Sequence, residues 1–185
     1  MVNNNMLDQL FVRFDGAFSE NTLRAYRSDF KQYEAWCAKK KQPSVPATAD
    51  LIAEYVDFMA TRNKSATIRR RINSLGTIFK LSKYPDPTKQ PEVVLALKRM
   101  HRKIGRQQKQ ATPLTKDILD QLLLQCDEDT RGLRDHVLLR LGYETMRRRS
   151  EICDFTFDDL TVTPRRGPAV RLVRAKTDQE GASKL

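Results

Sequence analysis

Long apolar runs and paired cysteines are both missing from this sequence. No stretch approaches the roughly 18 consecutive apolar residues of a membrane-spanning helix, and the N-terminus lacks the basic segment and apolar core of a secretion signal. The three cysteines are widely separated, with neither the spacing of a zinc site nor the even count of a disulfide framework. We therefore expect a cytoplasmic protein without a membrane segment, a metal site or a disulfide.

Acidic side chains are scarce in the first 110 residues, which contain 10 of them against 21 lysines and arginines. The remaining residues contain 13 of each sign, so the whole excess of +11 lies in the N-terminal part. Concentrated positive charge is typical of a surface that binds a polyanion such as a nucleic acid or an anionic membrane. A soluble protein that merely has one basic half is the alternative.

Apolar residues at three- and four-residue steps predict a helical bundle in the N-terminal part. Helices are expected at about residues 7–14, 19–38, 65–82 and 90–104, with another whose core face runs from Leu51 to Met59. Ser19 is a suitable N-cap for the second of these helices. In the last helix, we expect the core face to comprise Val93, Val94, Leu97 and Met100.

Three consecutive arginines, Arg69, Arg70 and Arg71, occupy the first turns of the helix predicted at 65–82. We expect them to project largely away from its apolar face. A helix with one basic face fits the roughly 12 Å wide major groove of duplex DNA, where arginine pairs with guanine edges as well as phosphates. The solvated face of a small bundle is the alternative. The helix predicted at 90–104, which carries Lys98, Arg99, Arg102 and Lys103, and the basic segment after it make this alternative less favourable.

A polar and basic segment, GRQQKQATP at residues 105–113, lacks an apolar face and predicts a linker. We divide the chain into a helical DNA-binding domain at 1–106, a linker at 107–114 and a second domain at 115–185. In the second domain, helices are expected at about 115–126 and 133–146, with the core residues Ile118, Leu119, Leu122, Leu123, Val137, Leu138 and Leu141.

After Leu160 the sequence pattern changes and predicts a β-hairpin with its turn at residues 165–168. Val170, Leu172 and Val173 stand beside charged residues in this segment. An isolated two-stranded hairpin is marginally stable in water. We therefore expect the second domain to be incomplete.

A further arginine cluster, Arg147, Arg148 and Arg149, stands where a third helical segment is expected to begin, at Arg148 or Arg149. Positive charge at a helix N-terminus is unfavourable unless an anion comes to it. Because successive helical residues fan out by about 100°, we expect one arginine to enter a site while another pairs with acidic neighbours or faces water. Planar bidentate donors of this kind suit the nonbridging oxygens of a phosphodiester.

The segment Thr145–Ile152, followed by Phe157–Leu160, resembles the first catalytic-arginine motif of the tyrosine site-specific recombinases, the lambda-integrase-like family. Arg148 matches the catalytic position and Glu151 the buried acid that follows it. The segments from Ser19 to Cys37 and from Thr67 to Phe79 resemble two DNA-facing helices of the family, and residues 174–181 resemble its β-hairpin segment, with Lys176 at the position of the general acid.

This resemblance implies a mainly α fold: a helical, SAM-like core-binding bundle, then the first helices and a β-hairpin of an α+β catalytic domain. The implied partner is double-stranded DNA, with no membrane, no metal and no other cofactor, in a cytoplasmic, nucleoid-associated protein of bacterial, phage or mobile-element origin. The side chains expected to contact DNA are Asn21, Thr22, Arg24, Thr67, Arg69, Arg70, Arg71, Arg102, Lys103 and Arg106.

The implied reaction is cleavage and rejoining of DNA through a 3′-phosphotyrosyl intermediate, with Arg148 stabilising the phosphate and Lys176 protonating the leaving oxygen. The family's His-x-x-Arg motif and nucleophilic tyrosine lie beyond the lysine, whereas every tyrosine and histidine of this sequence precedes it. We therefore expect this chain to be monomeric and to bind DNA without recombining it, and the full-length protein to be tetrameric on DNA.

Two alternatives remain open. The chain could be a noncatalytic DNA-binding regulator of recombination that uses the helical domain alone. It could also be a helical protein that binds RNA or a membrane surface.

Overall fold

Helices dominate the computed structural model, which describes residues 11–14, 16–163 and 167–170. The chain divides into two compact units, Met1–Lys109 and Gln110–Leu185. The first contains α1 (Glu20–Lys39), α2 (Ala49–Ala60), α3 (Ser65–Leu81), a 3₁₀ turn (Pro87–Lys89) and α4 (Pro91–Ile104). The second contains α5 (Lys116–Leu123), α6 (Thr130–Thr145), α7 (Arg149–Cys153), a 3₁₀ turn (Phe157–Asp159), β1 (Leu160–Thr163) and β2 (Gly167–Val170). The expected mainly α fold is confirmed.

Local capping explains where the helices of the first unit begin and end. Ser19 Oγ accepts a hydrogen bond of 3.3 Å from the backbone N–H of Thr22, which fixes the start of α1 as predicted. Helix α4 begins at Pro91 and ends before Gly105, whose φ of 75° suits glycine. The predicted ends of these helices are confirmed to within one or two residues. Of the helix predicted at 7–14, residues 11–13 are helical and residues 7–10 lie outside the described part of the chain.

An aromatic cluster forms the centre of the first unit. Tyr33 and Trp36 of α1 meet Tyr55 of α2, with ring centroids 5.1 and 5.0 Å from that of Tyr55. Phe79 of α3 packs edge-on against Tyr33 at 6.5 Å. Burial of each such side chain stabilises the fold by about 1.5–3 kcal/mol. This core holds α1 against α3, and the two helices therefore lie side by side.

The core face of α4 differs from the predicted one. Val93, Ala96 and Met100 are buried, whereas Val94 is 40% exposed. The stripe follows steps of three and four residues from Val93, which places Val94 at its edge. The prediction for Val94 was therefore wrong.

The second unit buries little of its expected core. Leu119 is buried, but Leu122, Val137 and Leu138 are between 37% and 46% exposed. Periodicity identified the apolar face of each helix correctly, yet a face becomes a core only where another element covers it. Within the described residues these three side chains stay more than a third exposed, so their predicted burial was wrong.

Strands β1 and β2 pair in antiparallel register, from Leu160 opposite Val170 to Thr163 opposite Gly167. The predicted hairpin is confirmed over these pairs. Residues 164–166 of its turn and the segment with Leu172 and Val173 lie outside the described residues. No helix in the described ranges combines the length and the hydropathy that crossing a bilayer requires.

Candidate nucleic-acid interface and arginine site

Arg70 of α3 is held by a buried carboxylate of α1. Its Nη1 and Nη2 donate to Oδ2 and Oδ1 of Asp29 over 2.5 and 2.9 Å, so that the two planar groups meet end to end. The Asp29 side chain is 1% exposed, while that of Arg70 is 51% exposed. Arg70 therefore reaches the surface with its guanidinium already fixed from below.

Arg71 does not lie on the exposed face. Its side chain is 15% exposed, its Nε lies 3.8 Å from Oδ1 of Asp29, and its Nη1 lies 3.9 Å from the sulfur of Met59. The expectation that all three arginines project away from the apolar face was wrong here, because position 71 lies around the helix between Leu75 and Ile78, which are buried. Its proposed contact with DNA consequently loses its geometric support.

A groove between α1 and α3 lies beside Arg70. Its cavity volume is about 400 Å³, and its lining is polar and basic on the α3 side. Arg69 and Asn73 are exposed at its edge. The lining side chains are those of Tyr26, Ala66, Arg69, Arg70, Asn73, Ser74 and Thr77.

The predicted contacts at the start of α1 are held in local hydrogen bonds. Nη2 of Arg24 lies 3.0 Å from Oε1 of Glu20 and Nη1 lies 3.3 Å from Oδ1 of Asn21. The hydroxyl groups of Thr22 and Ser19 are 2.8 Å apart. Exposed ion pairs of this kind stabilise a helix by less than about 1 kcal/mol, so little opposes exchange of Glu20 for a phosphate.

Basic side chains also flank the end of α4. Arg102, Lys103 and Arg106 are all exposed. Thr67, at the start of α3, lines a second cavity of about 650 Å³ together with Arg62, Lys64, Lys109 and neighbouring residues of the first unit.

His101 lies at this basic end of α4, and its pKa is lowered. Burial contributes most, followed by the positive charges of Arg106 and Arg69. Its Nδ1 is buried and has no hydrogen-bond partner in the part of the chain that the structure describes. The positive charges of Arg69 and Arg106 thus act on the same imidazole.

A lowered histidine pKa predicts a pH-dependent stability. As the pH falls through about 6.5, the unfolded chain binds a proton before the folded chain does, so stability decreases and stops changing below the folded-state pKa. Between pH 7.5 and 5.5, we expect the free energy of unfolding measured with urea to fall less for His101→Gln than for the wild-type chain. His136→Gln is the matched control, and an equal loss in wild-type and His101→Gln proteins would contradict the prediction.

Arg148 of the second arginine cluster is paired in a similar way to Arg70. Nη1 of Arg148 donates to Oε1 of Glu151 over 3.1 Å, and its backbone N–H donates to Oε2 over 3.2 Å. The Glu151 side chain is 7% exposed and that of Arg148 is 53% exposed. One buried carboxylate thus orients both the main chain and the guanidinium of Arg148.

The local backbone explains why the three arginines diverge. Helix α6 ends at Thr145, and its C-cap is Met146, whose φ of 51° and ψ of 29° are left-handed. The chain then runs extended through Arg148, the N-cap of α7, and Arg149 is the first residue of that helix. The expected helix start at Arg148 or Arg149 is confirmed, and Arg147 and Arg149 are exposed on either side of Arg148.

Lys176 and the tyrosines also bear on catalysis. Lys176 lies outside the described residues. Tyr33 and Tyr55 are almost fully buried, and burial raises the pKa of both phenols. Neither of them can reach a phosphate as a nucleophile. Within residues 11–14, 16–163 and 167–170, no group of three or more histidine, cysteine, aspartate or glutamate side chains is placed to hold a metal.

Sequence reasoning missed Asp29 and Ser74, the polar residues beneath Arg70. A usable signal was present, because Asp29 is a charged residue on the helical face of Phe30 and Tyr33. A carboxylate on an apolar face needs a basic partner when it is buried. The arginines of α3 could have been examined for that partner.

Comparison with known proteins finds relatives of both units. Residues 9–82 match the model of the phage integrase N-terminal SAM-like domain. The chain is 30% identical over 173 residues to an integrase/recombinase xerD homolog of Selenomonas ruminantium, covering 91% of this chain and 50% of the relative.

It is 25% identical over 182 residues to recombinase cre of Escherichia phage P1, covering 95% and 52% of the two chains. It is also 25% identical over 163 residues to tyrosine recombinase XerD of Staphylococcus haemolyticus, covering 82% and 51%. The chain thus spans about half the length of the curated relatives that it matches. On this similarity over both units, the chain belongs to the tyrosine recombinase family.

Proposed function

We propose that the first unit binds duplex DNA through the surface formed by α1, α3 and the end of α4. The observation that carries this proposal is the exposure of Arg69 and Arg70 beside one groove, with Arg102, Lys103 and Arg106 adding positive charge at the end of α4. Arg69 and Arg106 both lower the pKa of His101, which supports treating α3 and the end of α4 as one basic surface.

Duplex DNA suits this surface better than double-stranded RNA does. The major groove of B-form DNA admits a helix, whereas that of A-form RNA is too deep and narrow for side chains to read. The excess of +11 over the first 110 residues supplies the sequence-independent attraction to phosphates. An exposed Asn73 and the two exposed arginines supply donors for base edges.

For the second unit, we propose a part in DNA cleavage and rejoining. Arg148 would bind the nonbridging oxygens of the scissile phosphate, where charge develops in the transition state. Glu151 would hold its guanidinium in place. Lys176 would protonate the leaving 5′-oxygen while a tyrosine beyond the lysine segment forms the 3′-phosphotyrosyl bond. The whole protein would assemble as a tetramer on DNA.

A competition titration tests the DNA-binding proposal. A labelled 30-base-pair DNA duplex is bound by the chain and challenged with unlabelled DNA duplex, RNA duplex and vesicles containing phosphatidylserine. We expect DNA to compete best, and the logarithm of the association constant to fall linearly with the logarithm of salt concentration. Equal competition by RNA or stronger competition by vesicles would contradict duplex-DNA recognition, and a salt-independent affinity would contradict the electrostatic surface.

A further inference from the structure

Asp29 is a buried acid at the centre of a basic surface, and general attraction to DNA does not account for it. It is 1% exposed and receives hydrogen bonds from Arg70 and, over 2.8 Å, from the hydroxyl of Ser74. Arg71 Nε adds a charge contact at 3.8 Å. A carboxylate in this place lowers the positive charge of the surface, which weakens non-specific attraction to phosphates.

The pairing geometry leaves Arg70 with donors for which the described residues provide no recorded partner. Asp29 takes one N–H from each terminal nitrogen, so the Nε–H and the outer Nη–H groups remain available. Half of the side chain is exposed, and it borders the groove between α1 and α3. The outer edge of the Arg70 guanidinium therefore presents two parallel N–H donors that have little freedom to reorient.

Charge and geometry together favour a role in specificity. The ion pair with Asp29 cancels most of the long-range field of Arg70 but preserves its directional hydrogen bonds. Phosphate contacts use charge and carry no sequence information, whereas base contacts depend on direction. The two acceptors of a guanine edge in the major groove, N7 and O6, match two parallel N–H donors.

We propose that Asp29 is a positioning residue that fixes Arg70 to read a guanine edge in the major groove. This inference rests on the proposed binding of duplex DNA by the same surface. Ser74 assists by donating to the Asp29 oxygen that also receives Nη1 of Arg70. Freed from Asp29, Arg70 would still attract phosphates but would no longer select one base.

Selection from a library of randomised DNA duplexes tests this inference. The full 185-residue chain is compared with Asp29→Asn and Arg70→Lys. The matched control is Arg99→Lys, because Arg99 also pairs with a carboxylate, that of Asp57 over 3.0 Å, and lies outside the proposed DNA contacts. We expect wild type and the control to prefer guanine at one base pair. Both test variants should reduce that preference at least tenfold while keeping the preferences at other positions. For Asp29→Asn, the dependence of affinity on salt should also become steeper.

The outcomes separate the two proposals. If wild type enriches no sequence and shows no duplex binding, the proposed DNA-binding function fails and this inference fails with it. If wild type enriches a sequence and both variants keep the same base preferences, the inference alone is overturned. A purely structural role would weaken binding to all sequences equally and lower the melting temperature. If Asp29→Asn does not fold, Arg70→Lys decides, because lysine retains the charge above Asp29 and lacks the planar fork.

Discussion

Arg148→Ala is expected to reduce covalent trapping of DNA at least a hundredfold, about the loss seen when one transition-state hydrogen-bond donor is removed from an enzyme. The physical reason is the oriented guanidinium, which Glu151 holds from a buried position while half of the arginine side chain stays exposed. The measurement uses the full reading frame that contains this chain, a nicked duplex substrate and a denaturing gel that resolves the protein–DNA adduct.

Two variants make the Arg148 result specific. Arg147→Ala removes the same charge from the neighbouring residue and should retain most of the trapping. Arg148→Lys keeps a positive charge near the buried Glu151 but lacks the planar fork, so it should fold normally and still lose activity. Undiminished trapping in Arg148→Ala would contradict the proposed role of Arg148 in binding the scissile phosphate.

The second large effect is expected at Gly132, in the first turn of α6. A Cβ atom at this position would lie 1.9 Å from the backbone oxygen of Asp127 and 2.5 Å from its carbonyl carbon. The backbone N–H of Gly132 also donates to the capping carboxylate of Asp129 over 2.7 Å. Because the clash is with backbone atoms, Gly132→Ala should destabilise the second unit by about 3 kcal/mol.

Gly142→Ala provides the control within the same helix. Its added Cβ would meet Cδ1 of Ile152 at 3.5 Å, an ordinary contact, and alanine favours a helix over glycine by up to about 1 kcal/mol. Hydrogen exchange of the full chain measures both effects, with faster exchange expected in α5 and α6 of Gly132→Ala and unchanged or slower exchange in Gly142→Ala. Equal exchange in the two variants would contradict the close approach at Gly132.

The helix ends of the first unit were predictable because local chemistry determines them. Ser19 caps α1, and Pro91 and Gly105 delimit α4, irrespective of what packs against these helices. Burial was harder to predict. Val94 and Val137 belong to apolar faces, but whether such a face is covered depends on residues distant in sequence, which periodicity does not contain.

The two arginine sites were predictable to different degrees. The spacing of Arg148 and Glu151 on one turn makes their pairing a local feature, and the sequence places both residues together. The pair Arg70–Asp29 joins residues on two helices, so only the packing of α1 against α3 reveals it. The burial of Arg71, unlike the pairing of Arg70, was predictable from the sequence. Its helical position beside Leu75 already indicated that it would not face solvent.

Mapping of the DNA contact by NMR tests the central claim most directly, namely that the basic surface of α1, α3 and the end of α4 binds duplex DNA. Backbone amide signals of the chain are followed during titration with a short duplex. We predict the largest shifts at residues 20–24, at Arg69–Asn73 and at residues 101–106, with little change around Phe58 and Leu95 elsewhere on the first unit. Shifts centred on Phe58 and Leu95, or no saturable shifts at low salt, would contradict it.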